Sequence, residues 1–169
     1  PFPRAKTTLY DSGIRTPLLV RYPPLVRAAG ATKALVSTVD LAPTILEIGG
    51  VAQSSMEGKS FLPLLRDPAA GGRDAVFAEA NWHDFAQFTR AVRTHRYLLV
   101  RNFYADKPLW NSVDSIQSDT WKGMLEAKEA GTLTPAQSAL FVEPRPEEEL
   151  YDLEADPHAL KNVAGEPEH

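Results

Sequence analysis

Two short apolar runs, residues 89–93 and 97–103, are separated only by Thr94-His95-Arg96. That spacing constrains the chain more than any other feature, because so short a break between two strand-like runs closes as a β-hairpin. A hairpin commits the fold to an antiparallel sheet. Ala75–Ala80 and Glu149-Leu-Tyr-Asp-Leu153 share the same short, half-apolar character and supply further strands. Pro17-Leu-Leu-Val-Arg-Tyr22 predicts another short buried strand, stopped by Pro23-Pro24 and belonging to a different sheet.

Helix signals lie around these strands. Leu41–Ile48 predicts a helix with Asp40 as N-cap, Pro43 tolerated in the first turn and Gly49-Gly50 as the stop. Residues 51–73 read as a connecting loop with a helical turn around Ser60–Arg66. Asp119 is placed to cap a helix over Thr120–Ala130 ended by Gly131, and Thr134-Pro135 to open one over Ala136–Val142. Residues 143–149 are a solvated Pro-Glu connector, Ala159–Ala164 a last helical turn, and Pro1–Pro3 an extended lead-in. The order predicts an α+β fold, a small antiparallel sheet with helices packed on one face.

Composition bounds the function. With 169 residues, 43% hydrophobic and 24% charged, the chain can bury the core of one domain. Its apolar clusters, such as Leu18-Leu19-Val20, are far shorter than a membrane span requires. The start lacks a signal-peptide pattern, so a soluble chain without a targeting segment is expected, in a compartment the sequence does not fix. The absence of cysteine excludes disulfides, thiolate metal sites and a cysteine nucleophile in this chain. Charge is uneven: residues 1–50 carry six Lys/Arg against three Asp/Glu, residues 120–169 four against eleven. An acidic tail without a basic stripe argues against a nucleic-acid partner, while a small anion-binding patch near the start fits the charge there.

No self-contained catalytic motif is present: there is no G-x-S-x-G, P-loop or G-x-G-x-x-G, and the four histidines lack zinc spacing. His95 and His158 read as solvated turn residues, and His169 is terminal. Two residues stand out. His83, in Asn81-Trp82-His83-Asp84, lies between two strand candidates where a loop can present it at a cleft, with Asp84 as a neighbour able to orient it. Lys6 precedes two threonines and a glycine turn, a set able to hold a tetrahedral oxyanion by charge and hydroxyl contacts. The ordinary alternatives are a solvated terminal lysine and a structural histidine.

Four segments together resemble the type I sulfatases of the alkaline-phosphatase-like superfamily. Lys6-Thr-Thr-Leu-Tyr10-Asp-Ser-Gly13-Ile-Arg15-Thr-Pro17 resembles that family's stretch of lysine, tyrosine, glycine, arginine and proline before a strand. Ser37-Thr-Val-Asp40-Leu-Ala-Pro43-Thr44 is similar to its S-x-x-D-L-x-P-T helix, and Arg90-Ala-Val-Arg93-Thr-His-Arg-Tyr97 to its R-A-V-R-T-x-x-Y hairpin. Glu149-Leu-Tyr151-Asp152-Leu-Glu-Ala-Asp156-Pro157 resembles its closing E-L-Y-D-L-x-x-D-P segment. The Pro1-Phe2-Pro3 opening and the insertion at 104–148 look most like the heparan N-sulfatase branch, although that branch is arginine-like where Lys6 stands.

The resemblance implies the C-terminal part of a sulfatase-type α/β fold: residues 1–50 as the tail of the large catalytic domain, 51–73 as a connection and 74–169 as the C-terminal subdomain. It implies hydrolysis of sulfate esters or N-sulfates of a sulfated sugar, such as a glycosaminoglycan, by an intact parent. There a formylglycine nucleophile and a divalent cation, calcium, do the chemistry, Lys6 contacts the sulfate and His83 reaches the sugar or leaving group. The C-x-P-x-R or S-x-P-x-R source of formylglycine and the D-[NH]-G metal segment do not occur here. No metal ligands or bound cofactor are therefore expected in this chain, which on its own is expected to be inactive and to self-associate through an exposed edge strand. Two other readings remain open: part of a phosphonate or phosphate ester hydrolase of the same superfamily, and a stand-alone, non-catalytic binding module.

Overall fold

The computed structural model describes residues 4–26, 30–51 and 55–168; Pro1–Pro3, expected as an extended lead-in, lie outside them. The chain divides into two compact units, residues 4–16 with 77–168, and residues 17–76.

The first unit is organised by the sheet. Strands β1 (Ala75–Trp82), β2 (Ala86–Thr94), β3 (Tyr97–Asn102) and β4 (Glu148–Asp152) lie in the order β1-β2-β3-β4, and the register of the last three is antiparallel. The hairpin closes where expected, with Arg93 opposite Leu98 and Thr89 opposite Asn102. Alternation sets the buried face: Leu98 and Val100 are buried while Leu99 between them is exposed. Opposite them stand Tyr151 and Glu149 of β4. Leu9 and Tyr10 join Ala91, Leu98, Val100, Tyr151, Leu153 and Ala159 in one core cluster. The expected α+β architecture is therefore present.

Helices complete this unit: α1 (Asp11–Ile14), α4 (Val113–Ile116), α5 (Asp119–Glu129) and α6 (Pro135–Ser138), the last followed by a 3₁₀ turn over Ala139–Phe141. Ser118, not Asp119, caps α5, its hydroxyl accepting from Trp121 N at 3.2 Å. Gly131, at φ +68°, ends the segment as expected. The helical turn expected over 159–164 does not form. Ala159 takes φ +52°, which breaks the right-handed path, and the Asp156 carboxylate captures the Leu160 and Lys161 N–H groups.

In the second unit, α2 (Leu41–Ile48) and α3 (Leu62–Arg66) occupy the expected places. Asp40 corrects its assigned role. Its side chain does not cap α2 but reaches back to Ser37 N (2.9 Å), across to Lys59 N (2.7 Å) and to Arg73 Nε (2.8 Å). The expected buried strand at 17–22 is also corrected: these residues carry no strand, and Leu18, Leu19 and Val20 are 51%, 89% and 40% exposed. A strand needs a neighbour to complete its ladder, and among the described residues none pairs with this run.

Candidate functional site

The segment before α1 folds as a tight turn that throws Lys6 outward. Thr8 N and Thr8 Oγ1 both donate to the Ala5 carbonyl, at 3.1 and 2.9 Å, and Thr7 adopts φ +72°. Gly13 makes this packing possible, since a Cβ there would stand 2.3 Å from the carbonyl oxygens of Ala5 and Thr8. The hydroxyl contacts expected beside Lys6 are not available in this arrangement. Thr8 spends its hydroxyl on Ala5, and the Thr7 hydroxyl is buried without a hydrogen-bond partner.

The turn is fastened from below by groups whose roles the sequence did not reveal. Arg4 stacks its guanidinium 3.8 Å over the Tyr10 ring and donates to Tyr151 Oη (3.1 Å) and the Ala159 carbonyl (2.6 Å). Tyr10 and Tyr151 both donate to the buried Glu149 carboxylate, at 2.8 and 2.5 Å, and Asn102 Nδ2 donates to it at 2.6 Å. Burial, with the Glu149 charge next, pushes both phenols above their ordinary pKa, so they remain donors throughout the physiological range. Glu149, expected at the end of a solvated connector and the start of a strand, is buried instead.

Lys6 Nζ bonds the Asp114 carboxylate, and that hydrogen bond, then the Asp114 charge, raises the lysine pKa. Both side chains stay open to solvent, 48% and 59% exposed, so the ammonium is accessible. His83 lies in the turn between β1 and β2, its N–H donating to the Phe85 carbonyl at 3.3 Å. Its Nδ1 is 3.1 Å from Asp84 Oδ2, and that oxygen accepts from Val113 N at 2.7 Å. The Val113 N–H is the chief reason the Asp84 carboxyl lies below its usual pKa, with smaller help from His83 and the Lys6 charge. Phe85 stacks on Trp110, ring centroids 4.4 Å apart, bracing the same two loops.

Lys6 and His83, far apart in sequence, are thus joined through adjacent links: Lys6 to Asp114, and Val113 to Asp84 and His83. The arrangement offers one accessible ammonium and one half-exposed imidazole, a cation and a switchable donor–acceptor on one surface. A separate recess of about 690 Å³ opens beside Arg4, Tyr10 and His158 with apolar walls from Met124, Leu140 and Leu160; neither Lys6 nor His83 lines it. Among the described residues no group of three or more His, Asp or Glu could hold a metal ion, and no helix is long and apolar enough to cross a membrane.

Residues 4–132 match the profile of the family described as N-sulphoglucosamine sulphohydrolase, C-terminal. Over its whole length the chain is 35% identical to an ulvan-active sulfatase of Formosa agariphila, covering 28% of that protein. Over 99% of its length it is 32% identical to the N-sulphoglucosamine sulphohydrolase of Homo sapiens, covering 36% of that protein. A solved complex of a protein with its substrate, D-glucosamine-2-N,6-O-disulfate, superposes on 88% of the chain and 24% of its own, with a TM-score of 0.58 at 22% identity. That likeness shows the fold. The chain spans roughly a quarter to a third of the length of these proteins.

Proposed function

Because this chain belongs to the family of N-sulphoglucosamine sulphohydrolase C-terminal regions, we propose that it completes the substrate pocket of a sulfatase acting on a sulfated sugar. In this reading Lys6 contacts the sulfate and His83 the sugar or leaving group. The observation that carries it is the convergence of those two residues on one surface through Asp114 and Asp84. The names of the relatives, an ulvan-active sulfatase and an N-sulphoglucosamine sulphohydrolase, support a sulfated saccharide as substrate class. Residues 1–50 then end the large catalytic domain, 51–73 connect, and 74–169 form the C-terminal subdomain.

The chemistry asked of Lys6 is electrostatic. A fixed ammonium beside the sulfuryl oxygens counters the negative charge that develops there as the S–O or S–N bond breaks. Its half-exposed bond to Asp114 is weak enough to be exchanged for a sulfate oxygen, while the buried Glu149 hub below keeps the turn in place. The divalent cation and formylglycine that sulfatases use do not fit this chain's own residues, which offer neither a metal cluster among the described ones nor a formylglycine motif. The 169-residue chain alone is accordingly expected to be inactive. Its exposed Leu18, Leu19 and Val20 favour self-association, which light scattering reads.

The test is turnover of N- and O-sulfated monosaccharides by the complete enzyme that contains this chain, with the isolated chain as control. Lys6→Ala is expected to lose about 10²–10³-fold in kcat/KM, the scale of removing one transition-state donor, with partial recovery in Lys6→Arg. Unchanged turnover in Lys6→Ala, or sulfate release by the isolated chain, overturns the reading.

A further inference from the structure

The pairing at His83 carries more than its position. One carboxylate oxygen, Asp84 Oδ2, accepts the Val113 N–H at 2.7 Å and stands 3.1 Å from His83 Nδ1, at ion-pair distance. An ionised carboxylate has only lone pairs to offer, so it favours a hydrogen on the ring nitrogen that faces it. In the neutral ring that leaves Nε2 as an acceptor, and the His83 side chain is 47% exposed to whatever approaches. Asp84 is itself immobilised. It supplies the side-chain acceptor for the first N–H of α4, a helix whose preceding residue, Ser112, makes no side-chain cap. That N–H is also the first cause holding the Asp84 carboxyl below its usual range, with the Lys6 charge contributing.

We propose that Asp84 is a positioning residue that fixes His83 with its proton on Nδ1 and its Nε2 free as an acceptor beside Lys6. The surface then takes a sulfate ester or N-sulfate whose neighbouring position carries a hydrogen-bond donor, a hydroxyl or an N–H. Lys6, a pure donor, can hold only an acceptor and holds an anionic one most strongly. A neutral His83 held in this tautomer can hold only a donor. The two together discriminate a sulfated sugar with a free neighbouring donor from one that is alkylated or deoxygenated there, because the unmatched acceptor would be left unpaired under the ligand. The tautomer rests on geometry alone; the choice of ligand rests on the functional reading above.

The experiment has two arms. In the 169-residue chain, ¹⁵N NMR of labelled histidine, recorded at mildly alkaline pH where imidazole is neutral, reads the tautomer of His83, assigned by its loss in His83→Gln. The wild-type signal is expected to be Nδ1–H. Asp84→Ala is expected to release it toward the mixture of an unconstrained histidine. Val113→Pro, which removes the backbone donor that holds Asp84 at a helix position that tolerates proline, is expected to loosen the preference less than Asp84→Ala does. An Nε2–H wild type, or an Asp84→Ala chain with the Nδ1–H form intact, overturns the proposal. Because Asp84→Ala also uncaps α4, Asp84→Asn serves as a folded companion, keeping an acceptor without the charge, and is expected to weaken the preference.

In the complete enzyme, Asp84→Ala is expected to raise KM roughly tenfold, the worth of one hydrogen bond, for a substrate with the neighbouring donor, with little change in kcat. For the deoxy analogue KM is expected to stay level; an equal rise for both substrates overturns the ligand assignment. Full turnover in Lys6→Ala with the Nδ1–H tautomer intact breaks the functional reading and leaves the positioning role standing. Loss of turnover in Lys6→Ala with a free tautomer does the reverse.

Discussion

Asp40 and Lys6 each carry an ion pair, one in each unit, and the surroundings make them opposites. The Asp40 side chain is 2% exposed and its partner Arg73 23%, whereas Lys6 and Asp114 are 48% and 59% exposed. Asp40 also accepts from the Ser37 and Lys59 N–H groups, so every lone pair it brings into the interior is used. Lys6 has no such enclosure, and its ammonium can change partners at little cost. A buried, saturated pair fixes a loop; an open pair leaves its cation available. Arg96–Asp152 stands between them, with a carboxylate 9% exposed and a guanidinium 48% exposed.

Breaking the buried pair has the largest expected effect. Asp40→Ala strands Arg73 and two backbone donors in the interior of the second unit. A loss of about 3–5 kcal/mol is expected, the range for removing one member of a buried pair. Hydrogen exchange checks it: the Ser37 and Lys59 amides are expected to lose protection first, since both donate to that carboxylate. Wild-type protection at both amides in Asp40→Ala would make the pair no more structural than the open one.

The same contrast shows what was legible. The hairpin, α2 and the Gly131 stop rest on contacts within a few residues, and each lies where local pattern puts it. Asp40 was visible as a cap-type residue ahead of a helix, yet its true partner, Arg73, is set by the fold of the intervening chain. The run at 17–22 reads as a strand because apolar β-formers mark one, but pairing depends on a neighbour that pattern cannot supply. Lys6 and His83 could be singled out by residue type and context. Asp114 and Val113, which join them, lie in a stretch with no motif, and their part follows only from the turn geometry at Gly13 and the fold of the 103–112 loop.

The intermediate pair predicts a pH response. The Arg96 hydrogen bond, against an opposing cost of desolvation, lowers the Asp152 pKa to about 2, with backbone donors at Glu154 and Ala155 helping. An unfolded aspartate titrates near pH 3.9. A group depressed on folding contributes stability above the unfolded value and loses it as pH falls through the folded one. The first unit's urea midpoint is therefore expected to decline between about pH 4 and pH 2, and Arg96→Met to flatten that decline. An equally steep acid limb in Arg96→Met would assign the loss to other carboxylates.

The open pair should matter least to folding. Lys6 and Asp114 are open to solvent over about half their surface, so truncating the lysine leaves no buried charge behind. The turn beneath it is held by Gly13, the Thr8–Ala5 bonds and the Arg4–Tyr10–Glu149 hub, none of which involves the lysine side chain. Lys6→Ala is therefore expected to leave the urea midpoint of the chain within measurement error, in the same protein where Asp40→Ala moves it far. If the two variants lowered the midpoint alike, the Lys6–Asp114 bond would be part of the scaffold, and an incoming sulfate would have to dismantle the fold to reach the ammonium. A stable Lys6→Ala chain, set beside the loss of turnover expected in the complete enzyme, would instead separate the lysine's chemistry from its packing.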